Sequence, residues 1–256
     1  MSLCGYISSC YAQVVFKTRS TKLERIDTGD YTTEEYERFL KEISFINRRL
    51  GDSFALERTL LHAIERIDLK EFSVLDVGAG SGELLRFIAE FAHRTGRKAF
   101  LYGVDLNIQS VDAMKLESAA FGEIHPLRGD AVNLPFADKS FDFSISSLFT
   151  HHLTDEQVIA VLSQMDRVSR RGIFSIDLHR NPIAYVLYKI FCITNNISPL
   201  VRHDGSLSIL RSFKSNELLD LAAKANLQNA SVERHAPYRL VLVSPSSATS
   251  AAKPAV

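Results

Sequence analysis

The stretch Val74-Leu75-Asp76-Val77-Gly78-Ala79-Gly80-Ser81-Gly82 decides how this chain folds. It reads as a buried strand that runs into a three-glycine turn and opens a helix. Glycine has no Cβ, so such a turn reaches left-handed backbone angles and lets a ligand come close. A second acidic residue is expected at the end of the next strand, and Phe100-Leu101-Tyr102-Gly103-Val104-Asp105 supplies it. A carboxylate accepts from two donors at once, which suits Asp105 to both hydroxyls of a ribose. Together the two features imply a pocket for a ribose-bearing cofactor.

The spacing narrows the cofactor. The glycines stand at every second position, D-x-G-x-G-x-G, with Asp76 two residues before the first. In the G-x-G-x-x-G turn of dinucleotide folds the helix N-terminus faces a pyrophosphate. Here Glu83 falls in the first helical turn, where it would repel one. A cofactor without phosphate is implied, and a nucleotide-cofactor dehydrogenase is disfavoured.

Working outward, strands and helices alternate. Strands are predicted over 73–77, 100–105, 124–128, 141–146 and 172–177, with helices near 82–95, 107–121 and 154–169. Such alternation predicts an α/β fold, a doubly wound and mostly parallel sheet with helices on both faces. After a helix at about 214–226, strands near 229–235 and 238–243 are too close for a helical crossover. They should form an antiparallel pair and bring the sheet to seven strands. Upstream, Thr32 and Glu35 make a capping box for a first helix, and Asp52 or Ser53 caps a second. Residues 1–30 show no periodicity and read as a loose arm. Residues 31–243 read as one domain, with N-terminal helices over 31–70. The stretch 179–212 is too long for a plain connection and is predicted to be an inserted lid. The tail 244–256, rich in Ser, Ala and Pro, should be disordered.

Composition removes several classes of function. The 256 residues carry 30 basic and 30 acidic side chains, so no net field draws the chain to nucleic acid. No run approaches the ~20 apolar residues of a membrane span, and stable membrane insertion is not expected. The apolar start lacks a basic flank, so no secretion or lipidation signal is read there. Cys4, Cys10 and Cys192 are too scattered for a disulfide framework or a metal site, which suits a reducing cytoplasm.

At this point the chain resembles a known family. Val74 to Gly82 is similar to the first motif of class I S-adenosylmethionine-dependent methyltransferases, and the likeness extends over roughly residues 72–243. The resemblance implies S-adenosyl-L-methionine as cofactor. Asp76, Gly78, Ala79, Gly80 and Gly82 would then lie by its methionine part, and Asp105, with Leu106 beside it, by its ribose. Gly129-Asp130-Ala131, followed by Leu134-Pro135-Phe136, is similar to the adenine-binding motif. There Asp130 would accept from the adenine amino group and Ala131 would touch the ring. Ser140 to Ser146 is similar to the fourth-strand motif, whose end at Ser146 would face the transferring methyl group. Asp142 in that motif is read as structural. The terminal antiparallel pair also fits the family.

The acceptor side is read from residue chemistry. His151-His152 follows the fourth strand, where a histidine could take the proton of a phenol or enol. His152 is placed slightly ahead of His151. His179 and Arg180 at the end of the fifth strand, and His203 in Arg202-His203-Asp204, are candidate acceptor contacts. Phe39, Phe45, Tyr185, Tyr188 and Phe191 could line an apolar site under a lid. A fainter resemblance, to small-molecule methyltransferases encoded near polyketide-type pathways, implies a phenolic or quinone-like oxygen as the methyl acceptor and a place in secondary metabolism. No Asn-Pro-Pro-Tyr-type motif follows the fourth strand, where Ser146-Ser147-Leu148-Phe149 stands; a nucleic-acid substrate is again disfavoured. C-methylation of a quinol-type ring and non-catalytic cofactor binding are the alternatives. The oligomeric state is not legible.

Overall fold

β1 (Glu71–Val77) lies near the middle of the sheet, with every residue from Phe72 onward buried, as a strand covered on both faces requires. The computed structural model describes residues 16–246. β1 pairs in parallel with β2 (Lys98–Asp105) on one side and β4 (Phe141–Ser147) on the other. β3 (Ile124–Arg128) extends the sheet past β2, and β5 (Ser169–Leu178) past β4, again in parallel. β7 (Arg239–Pro245) joins β5 antiparallel, and β6 (Ser231–His235) pairs antiparallel with β7 at the edge. The order β3-β2-β1-β4-β5-β7-β6 is the expected doubly wound, seven-stranded α/β sheet. Strand order reverses between β1 and β4, so the carboxyl end of β1 opens the crevice where such sheets bind ligands.

The chain enters through a short helix, α1 (Arg25–Thr28), then α2 (Thr33–Arg49). Thr32 caps α2 as expected: its Oγ1 accepts from the Glu35 N–H at 3.2 Å and the Glu35 carboxylate accepts from the Thr32 N–H at 2.9 Å. Replacing such a cap costs about 1 kcal/mol. α3 (Asp52–Leu56) passes through a π-helical turn into α4 (His62–Arg66). These pack on the same face of the sheet as α5 (Glu83–Thr95) and Met114 of α6 (Ile108–Glu117), around Val74. Leu75 and Val77 point the other way, into a layer built by α7 (Asp155–Val168) and α10 (Ser215–Lys224). That alternation is the period of two of a strand.

The insertion is a helix pair, α8 (Pro182–Thr194) and α9 (Pro199–Arg211). Each starts on a capping side chain, Asn181 or Ser198, followed by proline at the first helical position, where its missing N–H costs nothing. The cluster Arg202-His203-Asp204, which supplied the candidate His203, lies within α9, and Gly205 beside it serves packing. A Cβ there would stand 2.0 Å from the Tyr188 hydroxyl oxygen, so only glycine lets α8 approach. α8, α9 and α2 share a small apolar cluster that includes Ile46, Tyr188, Cys192, Val201 and Ile209.

Two boundaries differ from expectation. Residues 16–30 are not a loose arm: the Asp204 carboxylate accepts from the backbone N–H groups of Arg25 (3.1 Å) and Ile26 (3.0 Å) and fixes α1. Ser244 and Pro245 belong to β7, and Ser246 is buried beside it. The remainder of the expected disordered tail, and residues 1–15 of the arm, lie outside the described residues. No helix among the described residues is long and apolar enough to cross a membrane.

Candidate active site

A cavity of about 1430 Å³ opens at the carboxyl ends of β1, β2, β4 and β5, under α1, α2, α8 and α9. Its volume exceeds the ~300–1,000 Å³ of a typical single-ligand pocket, enough for a cofactor and an acceptor together.

The glycine turn forms one wall. Gly78, Gly80 and Gly82 all have positive φ, at 75°, 55° and 77°. A Cβ on Gly78 would come within 2.4 Å of the Phe149 ring, and one on Gly82 within 2.6 Å of Met114. These two glycines therefore serve packing. A Cβ on Gly80 would meet nothing within 4 Å, so Gly80 is the one that leaves room for a ligand. Its N–H donates to Asp105 Oδ2 at 2.9 Å, and the Asn107 N–H donates to Asp105 Oδ1 at 2.9 Å. Both oxygens are thus aimed before any ligand arrives, and each retains an accepting lone pair. Asp76 lies beneath, 3% exposed. Burial, then the nearby Asp105 charge, pushes its carboxyl up to about 8. A carboxylate so placed needs a cation. Tyr36 of α2 comes down beside Asp105 and is stacked on Tyr31 at 5.2 Å. Ala79 lines the cavity as well.

Other expected cofactor contacts lie elsewhere. Ser146 is buried in the sheet and donates from Oγ to Ser175 Oγ at 3.0 Å. Alternation along β4 instead brings Ser147 to the cavity. Leu106 is 63% exposed and outside the cavity lining. Asp130 Oδ1 accepts from the Val132 N–H at 3.0 Å, which makes a local turn. Asp130 and Ala131 lie outside the cavity lining, and Ala131 packs on the α7 layer. Asp142 holds Ser73, Arg170 and Arg171 and has the structural role expected of it.

The acceptor side is organised around the 3-10 turn Thr150–His152 after β4. His151 is buried on the cavity wall, its Nδ1 2.7 Å from Asp177 Oδ1 at the end of β5. Asp177 also accepts from the Thr150 hydroxyl (2.6 Å) and from the N–H groups of His151 (3.0 Å) and Leu178 (2.7 Å). Burial would raise its pKa, but the His151 ring and these donors outweigh it and hold the carboxyl at about 2. An ionised carboxylate only accepts, so Nδ1 carries the proton and Nε2 is left to act as base.

His152 lies against His151, the rings tilted with centroids 4.3 Å apart, and its Nδ1 lies 3.0 Å from Asp27 Oδ1. Arg211 ties the cluster together. It donates to Asp27 Oδ2 (2.7 Å) and to the carbonyls of His151 (3.2 Å) and His152 (2.6 Å). Glu24 is buried on the cavity wall. Its Oε2 accepts from Ser208, while Oε1 has no hydrogen-bond partner, and burial pushes its carboxyl up to about 7. Glu24, His151 and His152 could offer ligand atoms within 4.8 Å of one another. Arg211 Nε, 3.8 Å from Glu24 Oε1, already supplies positive charge at that point.

Sequence reasoning missed Glu24, Asp27 and Arg211. Their only local sign is the Glu24/Asp27 spacing of three, which makes the capping box of α1.

His179 does line the cavity, and burial with neighbouring Arg234, Arg180 and Lys214 lowers its pKa. Arg180 does not contact the acceptor space. It is 1% exposed and donates to the carbonyls of Phe16, Lys17 and Ser212 and to Glu217, tying residues 16–17 to the end of β5. His203 also lies off the cavity: it is exposed on α9, with Nδ1 2.8 Å from Asp204.

The family described as Methyltransferase domain matches residues 74–172. A demethylmenaquinone methyltransferase of Bacillus velezensis is 33% identical over 100 residues, 38% of this chain and 41% of that protein. One from Staphylococcus epidermidis is 25% identical over 158 residues, 61% of this chain and 60% of that protein. The chain thus spans about two fifths to three fifths of the length of these relatives. Among solved structures, a SAM-dependent methyltransferase from Aquifex aeolicus superposes with TM-score 0.58 at 17% identity, over 82% of this chain and 97% of that one. Magnesium protoporphyrin IX methyltransferase from Synechocystis, with bound SAH, gives TM-score 0.60 at 17% identity, over 88% of this chain and all of that one. Residues 74–172 thus match a methyltransferase domain, set in a fold shared with S-adenosylmethionine-dependent methyltransferases.

Proposed function

We propose that the chain binds S-adenosylmethionine and methylates an oxygen of a small, largely apolar, phenolic or quinone-like acceptor. The residues fit the cofactor: Asp105 offers two aimed acceptors to a diol, Gly80 leaves space, and Asp76 is a buried carboxyl lacking a cation. When bound, the cofactor supplies an electrophilic methyl group on a sulfonium.

The observation that carries the oxygen reading is the His151–Asp177 pair on the cavity wall. His151 Nε2 takes the acceptor's hydroxyl proton as the oxygen forms its bond to the methyl carbon. The bound cofactor would supply the methyl group and keep the electron pair of the bond that breaks, and Asp177 stabilises the imidazolium formed at His151. Phe39, Tyr188 and Phe191 line the same cavity and exclude water from the step.

C-methylation of a quinol-type ring is the second reading, favoured by the relatives named for demethylmenaquinone. The test is turnover with a phenolic or quinol acceptor and labelled methyl donor. A label released by ether cleavage supports the oxygen reading. A label that survives cleavage supports the ring, and cofactor binding with no turnover supports a non-catalytic role.

A further inference from the structure

α8 is apolar on both sides. Ala184, Tyr188 and Cys192 face inward and are buried. Ile183, Val186, Leu187, Ile190 and Ile193 recur at helical spacing on the outside and are 57, 54, 50, 52 and 66% exposed. Single exposed aliphatic residues are ordinary; five along one ridge of a 13-residue helix mark a docking surface.

The ridge reaches the site. Leu187 both belongs to it and lines the cavity, and so does Leu40 of α2, itself 37% exposed. Through Leu187 the cavity is therefore continuous with the outer face of α8.

The charge carried by the helix pair itself has one sign. Between Leu178 and Asn216 the sole carboxylate is Asp204, which is buried and bound to the backbone of α1. Lys189 and His203 are exposed and Arg202 is half-buried on the same helix pair. The helix pair thus presents Lys189, with Arg202 half-buried behind it, and no exposed carboxylate, while Glu37 of α2 is exposed at the cavity one turn from Leu40. An apolar stripe flanked by cations is the pattern of a helix lying in an anionic lipid interface, with lysine reaching up to the headgroups.

We propose that α8 docks on an anionic bilayer surface and that a lipid-borne acceptor enters the cavity past Leu187 and Leu40. This rests on the small-molecule methyltransferase reading above and adds where the acceptor comes from. The association is peripheral.

The experiment is co-sedimentation of the full chain with vesicles of phosphatidylcholine alone, or with about a third phosphatidylglycerol. Wild type should partition onto the anionic vesicles, less onto neutral ones and less at high salt. Ile183→Ser/Ile190→Ser should weaken partitioning at least about tenfold, with calorimetric S-adenosylhomocysteine binding unchanged. Lys189→Glu should weaken it on anionic vesicles alone. Absence of partitioning by wild type, or equal partitioning by the double variant, overturns the proposal. So does a wild-type dimer, by light scattering, that the double variant converts to monomer, since the ridge would then join two copies. Calorimetry reports separately on the methyltransferase reading: loss of cofactor binding in wild type sinks that reading, whatever the vesicles show.

Discussion

His151 Nδ1, on the turn after β4, and Asp177 Oδ1, near the end of β5, lie 2.7 Å apart, both groups buried, with His151 on the cavity wall. Asp177 fixes which nitrogen of the ring carries the proton. Asp177→Asn keeps the shape but can present an N–H to Nδ1, which reverses the tautomer. It should lower kcat by about 10²–10⁴-fold, the usual worth of a general base. KM for the cofactor should stay within about twofold, because nothing the cofactor touches has changed. Steady-state kinetics with a turned-over acceptor checks this, and a fall in cofactor affinity alone would count against it.

Asp105 should dominate cofactor affinity. Asp105→Ala removes a bidentate acceptor whose charged hydrogen bonds are each worth about 1.5–3 kcal/mol, so binding of S-adenosylhomocysteine should weaken at least about tenfold. Calorimetry reads the loss directly. Leu106→Ala, altering an exposed neighbour, should leave it unchanged.

Asp76 gives binding a pH dependence of definite sign. With its carboxyl at about 8, the pocket is largely protonated near pH 7. A cationic ligand favours the ionised form, so binding releases a proton below pH 8. Affinity for the sulfonium should rise from pH 6 to 8 and then level. Calorimetry in buffers of different ionisation enthalpy should report proton release at pH 7, and Asp76→Asn should abolish both effects. For stability the sign is opposite. A pKa raised in the folded state contributes stability below the unfolded value near 3.8, and this is lost as pH rises through 8.

Gly205→Ala should destabilise the fold although alanine is the better helix former. The helix gain is about 1 kcal/mol. The new methyl group would stand 2.0 Å from the Tyr188 hydroxyl, and overpacking of this kind costs about 1–3 kcal/mol. Thermal denaturation should show a lower Tm. An unchanged or higher Tm would mean that α8 gives way easily.

What the sequence revealed follows the range of the interaction. The β1 turn and Asp105 lie in contiguous patterns, and the sheet that carries them was predicted strand by strand. The packing role of Gly205 was not legible, because it depends on Tyr188 seventeen residues earlier on another helix. Ser146 was placed one residue short: along a strand, a slip of one exchanges the cavity face for the other face. Arg180 looked like an acceptor contact because a charge at a strand end suggests a ligand. Its position is explained by three backbone carbonyls and Glu217, which local pattern cannot foretell. Glu24 and Asp27 meet the histidines across more than a hundred residues of chain, so the acceptor side came together only in three dimensions.

α9 holds two ends of the site at once. Asp204, midway along it, grips the backbone of α1, and Arg211, its last residue, grips the carbonyls of His151 and His152. One helix therefore fixes both the entry segment α1 and the turn that carries the two histidines, and a substitution that shifts α9 is expected to disturb both.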